Sequence, residues 1–307
     1  MPEMLLRLNR IKTIAAIVLL VFLPILQVLG GWLIVEQKSD RFGNFGMQST
    51  IISGQKVRIE HQTSTFIFNL DSNQTTIILP RQKVYWRGHH DSLGEALYRQ
   101  LDIQISLMIA QLPEKERDKV AEEMQFLTTL MRSHQPDSLL PDHFRIVATD
   151  SVTRILNYKC QKYLFSVDSL VVEEIWMTSE LKPWDQIDLR RLNQMMRLFN
   201  KPNLYSAYRV SDEWLTMLGK GLLMRSVAIN SLGNSVMEVS AVRQTNVRDE
   251  IFLPPDDYRK AGIEEMLNIL MGGPEAIKPD AGEPELPKLP VKPRTASPRG
   301  SPLGPPY

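Results

Sequence analysis

Three stretches of alternating apolar and polar residues constrain the fold of this chain more than any other feature. They occupy residues 51–60, 64–79 and 157–178, are rich in β-branched and aromatic side chains, and are divided by turn residues. An alternation of period two places every second side chain on the same face of a strand. The sequence therefore predicts a sheet with one buried face, and no catalytic or metal-binding signature interrupts these strands.

The amino-acid composition limits the classes of protein to which this chain can belong. The 307 residues allow one large domain or two ordinary ones, and the apolar share of 43% is sufficient for a full core. The formal net charge of +1 lacks the basic excess that is typical of nucleic-acid-binding surfaces. The single cysteine, Cys160, cannot form an intramolecular disulfide. Because it lies in an apolar strand, we expect a buried thiol rather than a reactive one.

The N-terminal segment indicates export in either of two forms. Three cations within the first 12 residues precede an uncharged run at residues 13–35. This run is long enough to cross a bilayer at about 1.5 Å per residue. One alternative is a signal peptide over residues 1–30, which would leave a soluble periplasmic protein. The other is a retained inner-membrane anchor, and both place the rest of the chain outside the cytoplasm.

Strands joined by short turns dominate the rest of the chain, and Phe66, Phe68 and Leu70 share one strand face. The other predicted strands are Trp32–Ser39, Met47–Ile52, Lys56–His61, Thr75–Leu79, Lys83–Trp86, Phe144–Ala148, Tyr158–Val167, Leu170–Thr178, Leu222–Asn230 and Ser235–Thr245. Strands followed by segregated helices predict an α+β fold with an antiparallel sheet and helices on one side. We expect a single domain over residues 31–270.

Helical periodicity occurs in three places. Ser92 and Glu95 form a capping box at the start of a helical pair inserted at about residues 91–134. This pair could cover one face of the sheet, form a coiled-coil contact or act as a lid over a groove. Further helices are predicted at Asp185–Phe199 and at Asp212–Leu218, with Ser211 as the N-cap of the latter. The apolar side of the helix at Asp185–Phe199 comprises Ile187, Leu192, Met195, Met196 and Phe199.

The C-terminal segment, residues 271–307, cannot build a core. Ten of the 20 prolines of the chain lie in its last 34 residues. Such a composition is typical of a disordered tail. Prolines recur every third residue from Pro284 to Pro293, so a polyproline II helix would align them in one stripe. A docking peptide is therefore the alternative to a plain disordered tail.

Candidate chemical sites are few. His89, His90 and Asp91 carry metal-ligand side chains, but neighbours on an extended chain point to opposite faces, which favours a solvated turn before a helix. The same argument separates Glu173 from Glu174, so they form no acid/base pair. No histidine accompanies a credible nucleophile. We therefore expect a protein that is not an enzyme and that holds neither a metal nor a cofactor.

Four strings together resemble a bacterial family of domains of unknown function that is similar to the LolA/LolB-like lipoprotein carriers. They are Ile52–Ile59, Asn157–Tyr163, Glu174–Thr178 and Phe252–Lys260. The second string is similar to the family's G-Y-x-C-x-K-Y strand, with Asn157 in place of glycine. Because asparagine tolerates a left-handed φ, we expect Asn157 at a turn.

The resemblance implies an incomplete antiparallel barrel, a LolA-like half barrel packed on helices, whose apolar concavity receives acyl chains in the carriers. The aromatic and methionine-rich strands supply a candidate hydrophobic lining: Phe66, Phe68, Leu70, Tyr163, Phe165, Trp176 and Met224. The leading hypothesis is binding of a lipid or a lipoprotein acyl chain. The alternative is a cell-envelope scaffold with a filled core that docks partners through the helical pair or the proline-rich tail.

Overall fold

The computed structural model describes residues 30–40, 42–132, 144–199, 207–229 and 233–271. Its strands are β1 (Gly31–Ser39), β2 (Phe45–Ser53), β3 (Lys56–His61), β4 (Thr65–Asn69), β5 (Gln74–Leu79), β6 (Val84–His89), β7 (Phe144–Ile155), β8 (Tyr158–Val167), β9 (Leu170–Thr178), β10 (Leu222–Ala228), β11 (Ser235–Thr245) and β12 (Arg259–Lys260). Its α-helices are α1 (His90–Ala110), α2 (Glu114–Arg132), α3 (Leu189–Arg197), α4 (Asp212–Leu218) and α5 (Ile263–Leu270).

The 12 strands form one sheet in the order β12-β6-β5-β4-β3-β2-β1-β11-β10-β9-β8-β7. Neighbouring strands run antiparallel except β12, which lies parallel to β6. Because β12 and β7 end the sheet without pairing with each other, the sheet of the described residues is not closed. The predicted α+β class with a mainly antiparallel sheet is confirmed at this level.

Strand β1 occupies the middle of the sheet and joins two series of consecutive hairpins. On one side it pairs with β2, which begins the series β2 to β6, and on the other with β11, which ends the series β7 to β11. Trp32, for example, lies opposite Ile52 on β2 and Gln244 on β11. Most neighbours in the sheet are therefore also neighbours in the chain, and the pairings of β1 with β11 and of β12 with β6 are the long-range exceptions.

The described residues leave out most of both ends of the chain. Residues 1–29 and 272–307 lie outside the described residues, and the predictions of a signal peptide, an anchor and a disordered tail fall on them. Residues 31–35, which the anchor alternative assigned to a membrane segment, belong to strand β1. Among the helices that are described, none combines the length and the apolar character needed to cross a membrane.

The turn between β7 and β8 confirms the conformation predicted for Asn157. Leu156 and Asn157 form this two-residue turn with φ values of 51° and 71°. Such left-handed pairs match the twist of hairpin strands, and asparagine adopts them at little cost. Strand β7 extends beyond the predicted Ala148 to Ile155, with an irregularity in its pairing between Ala148 and Val152.

The predicted capping box at Ser92 and Glu95 is wrong. Helix α1 begins at His90 directly after β6, and its N-cap, His89, makes no side-chain capping hydrogen bond. The His90 N–H instead donates to the carbonyl oxygen of Asn73 at 2.9 Å. The β4–β5 turn therefore satisfies one of the free N–H groups that a capping side chain would otherwise accept from.

The helix predicted at Asp185–Phe199 is divided into two parts. A 3-10 helix at Pro183–Gln186 precedes an extended Ile187, and α3 follows. The Asp188 side chain accepts a hydrogen bond from the Arg191 N–H at 3.0 Å, so Asp188 is the N-cap of α3. The prediction for α4 was accurate, because Ser211 caps it in the same way.

The helical pair covers the sheet only at one end. Leu93 and Ala96 of α1 are buried against β5, β6 and α5, with Ile77 and Trp86 among the residues that they join. The later part of α1 is different, since Met108 is exposed. Helix α2 packs against α1. The main contacts between α1 and the sheet are made to β5 and β6, through residues near the start of α1.

Leu156 provides a test of the β7–β8 turn. Holding a branched aliphatic residue at a left-handed φ costs about 1 kcal/mol, a cost that asparagine largely avoids. We therefore expect Leu156→Asn to raise the free energy of unfolding by about 1 kcal/mol in urea denaturation. The matched control is Leu253→Asn, because Leu253 is equally solvent-exposed but has an extended φ of −108°. Equal effects at both positions would contradict this account.

Candidate functional site

The largest buried cluster lies between the sheet and helix α3, and we call it the main core. Strands β1 to β4, β10 and β11 contribute to it, as do Cys160 of β8 and the segment that leads into α3. Its buried residues are Ile34, Ile52, Val57, Ile59, Phe68, Leu70, Cys160, Leu181, Ile187, Leu192, Met195, Leu222, Met224 and Val239. Cys160 is fully buried, as predicted, and burial raises the pKa of its thiol.

The structure brings five of the seven predicted lining residues together. Phe68, Leu70 and Met224 are at most 1% exposed inside the main core. Phe66 and Trp176 are partly buried and pack against it. These aromatic and thioether side chains therefore share one apolar region, and their role toward a ligand stays a prediction.

Tyr163 and Phe165 belong to a different cluster, which we call the aromatic cluster. Phe165 is fully buried there, with ring-centroid distances of 4.8 Å to Tyr208 and 5.4 Å to Trp214. Tyr163 is partly buried beside it. Helix α4 and the 3-10 helix at Ala207–Val210 supply the partner rings. The seven residues consequently do not form one continuous lining.

Helix α3 covers the main core mainly through apolar contacts. Leu192 and Met195 insert into the core, and Met196 packs against it. A polar contact holds the N-terminus of the helix, where the Asp188 N–H donates to Gln55 Oε1 at 2.9 Å. Helix α3 has nine residues, too few to be stable in isolation, so its position depends on these contacts.

Phe199, directly after α3, connects the main core to the cluster that α1 and α5 form on β5 and β6. It is partly buried and packs against both clusters, as Phe66 does. Its ring centroid lies 4.9 Å from that of Phe66 and 6.0 Å from that of Phe68. Sequence periodicity predicted Phe199 only as a buried helix residue, because a contact between two clusters depends on tertiary packing.

Beyond Ile34, polar side chains of β1 form a chain of hydrogen bonds with Gln48 of β2. Gln48 Nε2 donates to Glu36 Oε2 at 2.8 Å, and Lys38 Nζ donates to Gln48 Oε1 at 2.6 Å. Burial raises the pKa of Glu36, although the charges of Lys38 and Arg209 oppose the shift. Desolvation lowers the pKa of Lys38 and, with the Lys38 charge, that of nearby His61. These residues were not predicted as a group.

Glu173 is the buried member of an ion pair beside the aromatic cluster, and its partner Arg209 is 41% exposed. Glu173 is 1% exposed, and its Oε1 accepts hydrogen bonds from Arg209 Nη2 at 2.6 Å and from the Ser226 hydroxyl. The Arg209 guanidinium also lies over the Trp214 ring, 5.6 Å from its centroid. Glu174 instead pairs with Lys162 at 2.9 Å. The two glutamates have separate partners, as expected from their alternation along the strand.

Other polar features offer little for chemistry. Among the described residues, no group of three or more histidine, cysteine, aspartate or glutamate side chains could hold a metal ion. His89 and Asp91 are exposed and lie 3.3 Å apart, at the start of α1. A pocket of about 170 Å³ beside Lys56, Arg87 and Asp249 contains none of the predicted lining residues.

Two buried polar atoms in the segment that precedes α3 have no hydrogen-bond partner among the described residues. They are the indole nitrogen of Trp184 and Oε1 of Gln186, both in the 3-10 helix that precedes α3. Trp184 also packs against the main core. An unsatisfied buried polar atom costs free energy and is a natural contact for a polar group of a ligand.

Comparison with known protein families supports the resemblance. Residues 114–258 match the family described as Domain of unknown function (DUF4412). The resemblance to a domain-of-unknown-function family is confirmed. The matched range contains Asn157–Tyr163, Glu174–Thr178 and most of Phe252–Lys260, whereas Ile52–Ile59 precedes it. No curated protein sequence matches this chain.

Solved structures of partial likeness include three of interest. PNGF-II is 12% identical with a TM-score of 0.34 over 79% of this chain and 33% of its own, so this chain spans about a third of its length. The MucA/MucB complex of Pseudomonas aeruginosa is 10% identical, with a TM-score of 0.30 and coverages of 75% and 57%. A LolA superfamily protein from Nitrosomonas europaea is 9% identical, with a TM-score of 0.25 and coverages of 73% and 90%. At these scores we infer neither a shared activity nor a shared partner.

The Glu173–Arg209 pair predicts a strongly non-additive mutant cycle. Arg209→Met leaves the Glu173 carboxylate buried without its cation, so we expect a loss of about 3 kcal/mol in the free energy of unfolding. Adding Glu173→Gln removes the unpaired charge and should restore most of that loss. Urea denaturation of both single variants and the double variant measures the coupling.

The matched control for this cycle is Arg190→Met. Arg190 pairs with Asp212 at 3.4 Å, and both side chains are more than 70% exposed. A surface pair of this kind contributes about 1 kcal/mol or less. If Arg209→Met costs no more than Arg190→Met, the buried pair does not stabilise the fold.

Glu36 makes stability depend on pH. Because burial raises its pKa, the folded protein keeps this carboxyl protonated at pH values where the unfolded chain has lost the proton. The contribution of Glu36 is thus complete below the unfolded pKa and is lost as pH rises through the folded pKa. Glu36→Gln cannot ionise and retains an acceptor for Gln48. We expect it to unfold at higher urea than the parent at about pH 8, with the difference gone near pH 4.

The comparison needs a glutamate that is not buried. Glu122→Gln on the exposed face of α2 serves as the control, and we expect its urea midpoint to follow the parent protein at both pH values. An equal shift for Glu36→Gln at the two pH values would show that ionisation of Glu36 has no part in stability.

Proposed function

We propose that this protein is a non-enzymatic, exported binding protein that holds an apolar ligand, a lipid or a lipoprotein acyl chain, in the main core. The observation that carries the proposal is the cover formed by α3. Leu192 and Met195 fill the space over Phe68 and Met224 on the sheet. In this proposal the ligand takes the place of α3 side chains, and the sheet has the curvature of a LolA-like half barrel.

An acyl chain can take the place of α3 side chains because the contacts exchanged on the sheet are apolar. Removing a polar segment from a core would leave hydrogen-bonding groups unpaired, whereas an alkyl chain keeps Phe68 and Met224 buried after Leu192 and Met195 leave. Methionine and aromatic side chains also adapt to ligands of variable shape. Met195, Met196, Met224 and the rings of Phe66 and Phe199 provide such surfaces around the site.

The segment that precedes α3 supplies a polar contact for the ligand head group. Trp184 Nε1 can donate and Gln186 Oε1 can accept a hydrogen bond, and neither atom has a partner in the described part of the chain. A carboxyl or ester group accepts from an indole N–H, and a protonated carboxyl, hydroxyl or amide donates to Gln186. The ligand therefore carries a polar group at one end of an apolar chain.

Export and family resemblance agree with this function. The cationic and then uncharged N-terminal sequence favours a periplasmic protein or one anchored in the inner membrane by residues 13–35. The resemblance to a family similar to lipoprotein carriers points to an acyl ligand. We propose no catalytic residue, because the ionisable groups near the core are engaged in Glu36–Gln48 and Glu173–Arg209 contacts.

A disulfide that fastens α3 to the sheet tests the proposal. Gln55→Cys and Asp188→Cys replace two residues joined by a hydrogen bond of 2.9 Å between the β2–β3 turn and the N-terminus of α3. We expect the reduced variant to bind the fluorescent fatty acid cis-parinaric acid and the oxidised variant to bind it at least about tenfold more weakly, a difference of about 1.4 kcal/mol. Reductant should restore binding.

Gln55→Cys alone is the matched control, since it loses the hydrogen bond without gaining the covalent link. Equal binding by the oxidised and reduced double variant would contradict displacement of α3. Absence of binding by the parent protein would contradict the apolar-ligand function itself.

A further inference from the structure

The outer half of helix α1 exposes a row of large apolar side chains. Ile103, Leu107 and Met108 are 47%, 60% and 42% exposed, although Leu93 near the start of the same helix is 1% exposed. Ile103 and Leu107 are four residues apart and share one helix face, and Met108 lies about 100° further round the helix beside Leu107. Single exposed apolar residues are common, but a contiguous row usually marks a surface that something covers. We call Ile103, Leu107 and Met108 the outer face of α1.

Helix α5 lies against α1 and ends next to the outer face. Three contacts fix its direction: Arg99 with Glu264 at 3.3 Å, Gln100 with Asn268 at 3.1 Å, and Gln104 Nε2 with Met271 Sδ at 3.9 Å. Residue numbers rise together along both helices, so α5 runs parallel to α1. The chain thus leaves Met271 beside Gln104, one helical turn before Leu107 and Met108.

The chain continues for 36 residues beyond this point, from Gly272 to Tyr307. Its first branched aliphatic residue is Ile277, six residues after Met271. Six residues can span up to about 20 Å, whereas one helical turn advances about 5 Å, so Ile277 can reach Leu107 and Met108 with length to spare. Three further aliphatic residues follow within the next 14 positions: Leu286, Leu289 and Val291.

We propose that residues 274–291 of this chain dock on the outer face of α1, with Ile277 against Leu107 and Met108. Contacts made by a short tethered segment benefit from an effective concentration of about millimolar, so docking needs an intrinsic dissociation constant below only about 1 mM, roughly 4 kcal/mol of contact free energy. Docking would cover the exposed row and leave the main core untouched. The helical pair and the C-terminal segment are then two parts of one intramolecular contact.

Cysteine substitutions in the full-length protein test this contact directly. Cys160 is the single cysteine of the sequence, and because it is fully buried it cannot compete for oxidation. In the variant with Met108→Cys and Ile277→Cys, the two introduced thiols are therefore the ones that can pair. We expect rapid intramolecular disulfide formation under mild oxidation. Leu170→Cys with Ile277→Cys is the matched control, because Leu170 is 64% exposed at the start of β9, far along the sheet from α1. This pair should form the disulfide at least about tenfold more slowly, because its effective concentration is lower.

Hydrogen exchange provides a second measurement without new thiols. We expect Ile277→Asp in the full-length protein to raise amide exchange over residues 103–110 severalfold and to leave residues 93–97 unchanged. Disulfides between molecules rather than within one would assign the outer face to a second copy of the chain. Equal rates for the two cysteine pairs, together with unchanged exchange, would leave the face open to a membrane or another protein. Each of these results would overturn the proposal.

Discussion

The pairing of β1 with β11 is the contact on which the rest of the structure depends. It joins Gly31 to Thr245 and Ser39 to Val236, so it closes a loop of about 200 residues between two hairpin series. The entropic cost of that closure is offset by a ladder of backbone hydrogen bonds and by burial of Ile34 in the main core. Without β1, strands β2 and β11 would both be sheet edges, and α3 would lack part of the surface that it covers.

Local features of this fold could be predicted from the sequence, because local chemistry determines them. Strands β8 and β9, the Ser211 cap of α4 and the left-handed Asn157 all depend on residues close in the chain. Predictions were wrong where contacts with a segment distant in the chain determine the local structure. Helix α1 starts at His90 because Asn73 accepts from its backbone, and no pattern within the helix contains that information. Helix α5 and the parallel pairing of β12 were likewise not predicted.

For the candidate site, likewise, the features set by neighbouring residues were predicted and those set by distant segments were not. Alternation identified Phe68, Phe165 and Met224 as buried residues correctly, yet it did not show that they belong to two clusters. Irregular pairing between Leu223 and Arg225 and between Phe165 and Ser166 changes which side chains meet, and sequence periodicity does not reveal such shifts. The contacts of Glu36 and Glu173 were not predicted from the sequence, because these residues acquire their partners only when several strands assemble.

The central claim is that the main core exchanges its α3 contacts for an apolar ligand. Its most direct test is to purify the full-length protein from its native host without added detergent and to identify bound lipids by organic extraction and mass spectrometry. The account predicts a lipid with an acyl chain and a polar head group, recovered in near-stoichiometric amount and depleted when α3 is fastened to the sheet. Recovery of no lipid from folded protein would contradict it and would favour a scaffold whose core is filled by its own side chains.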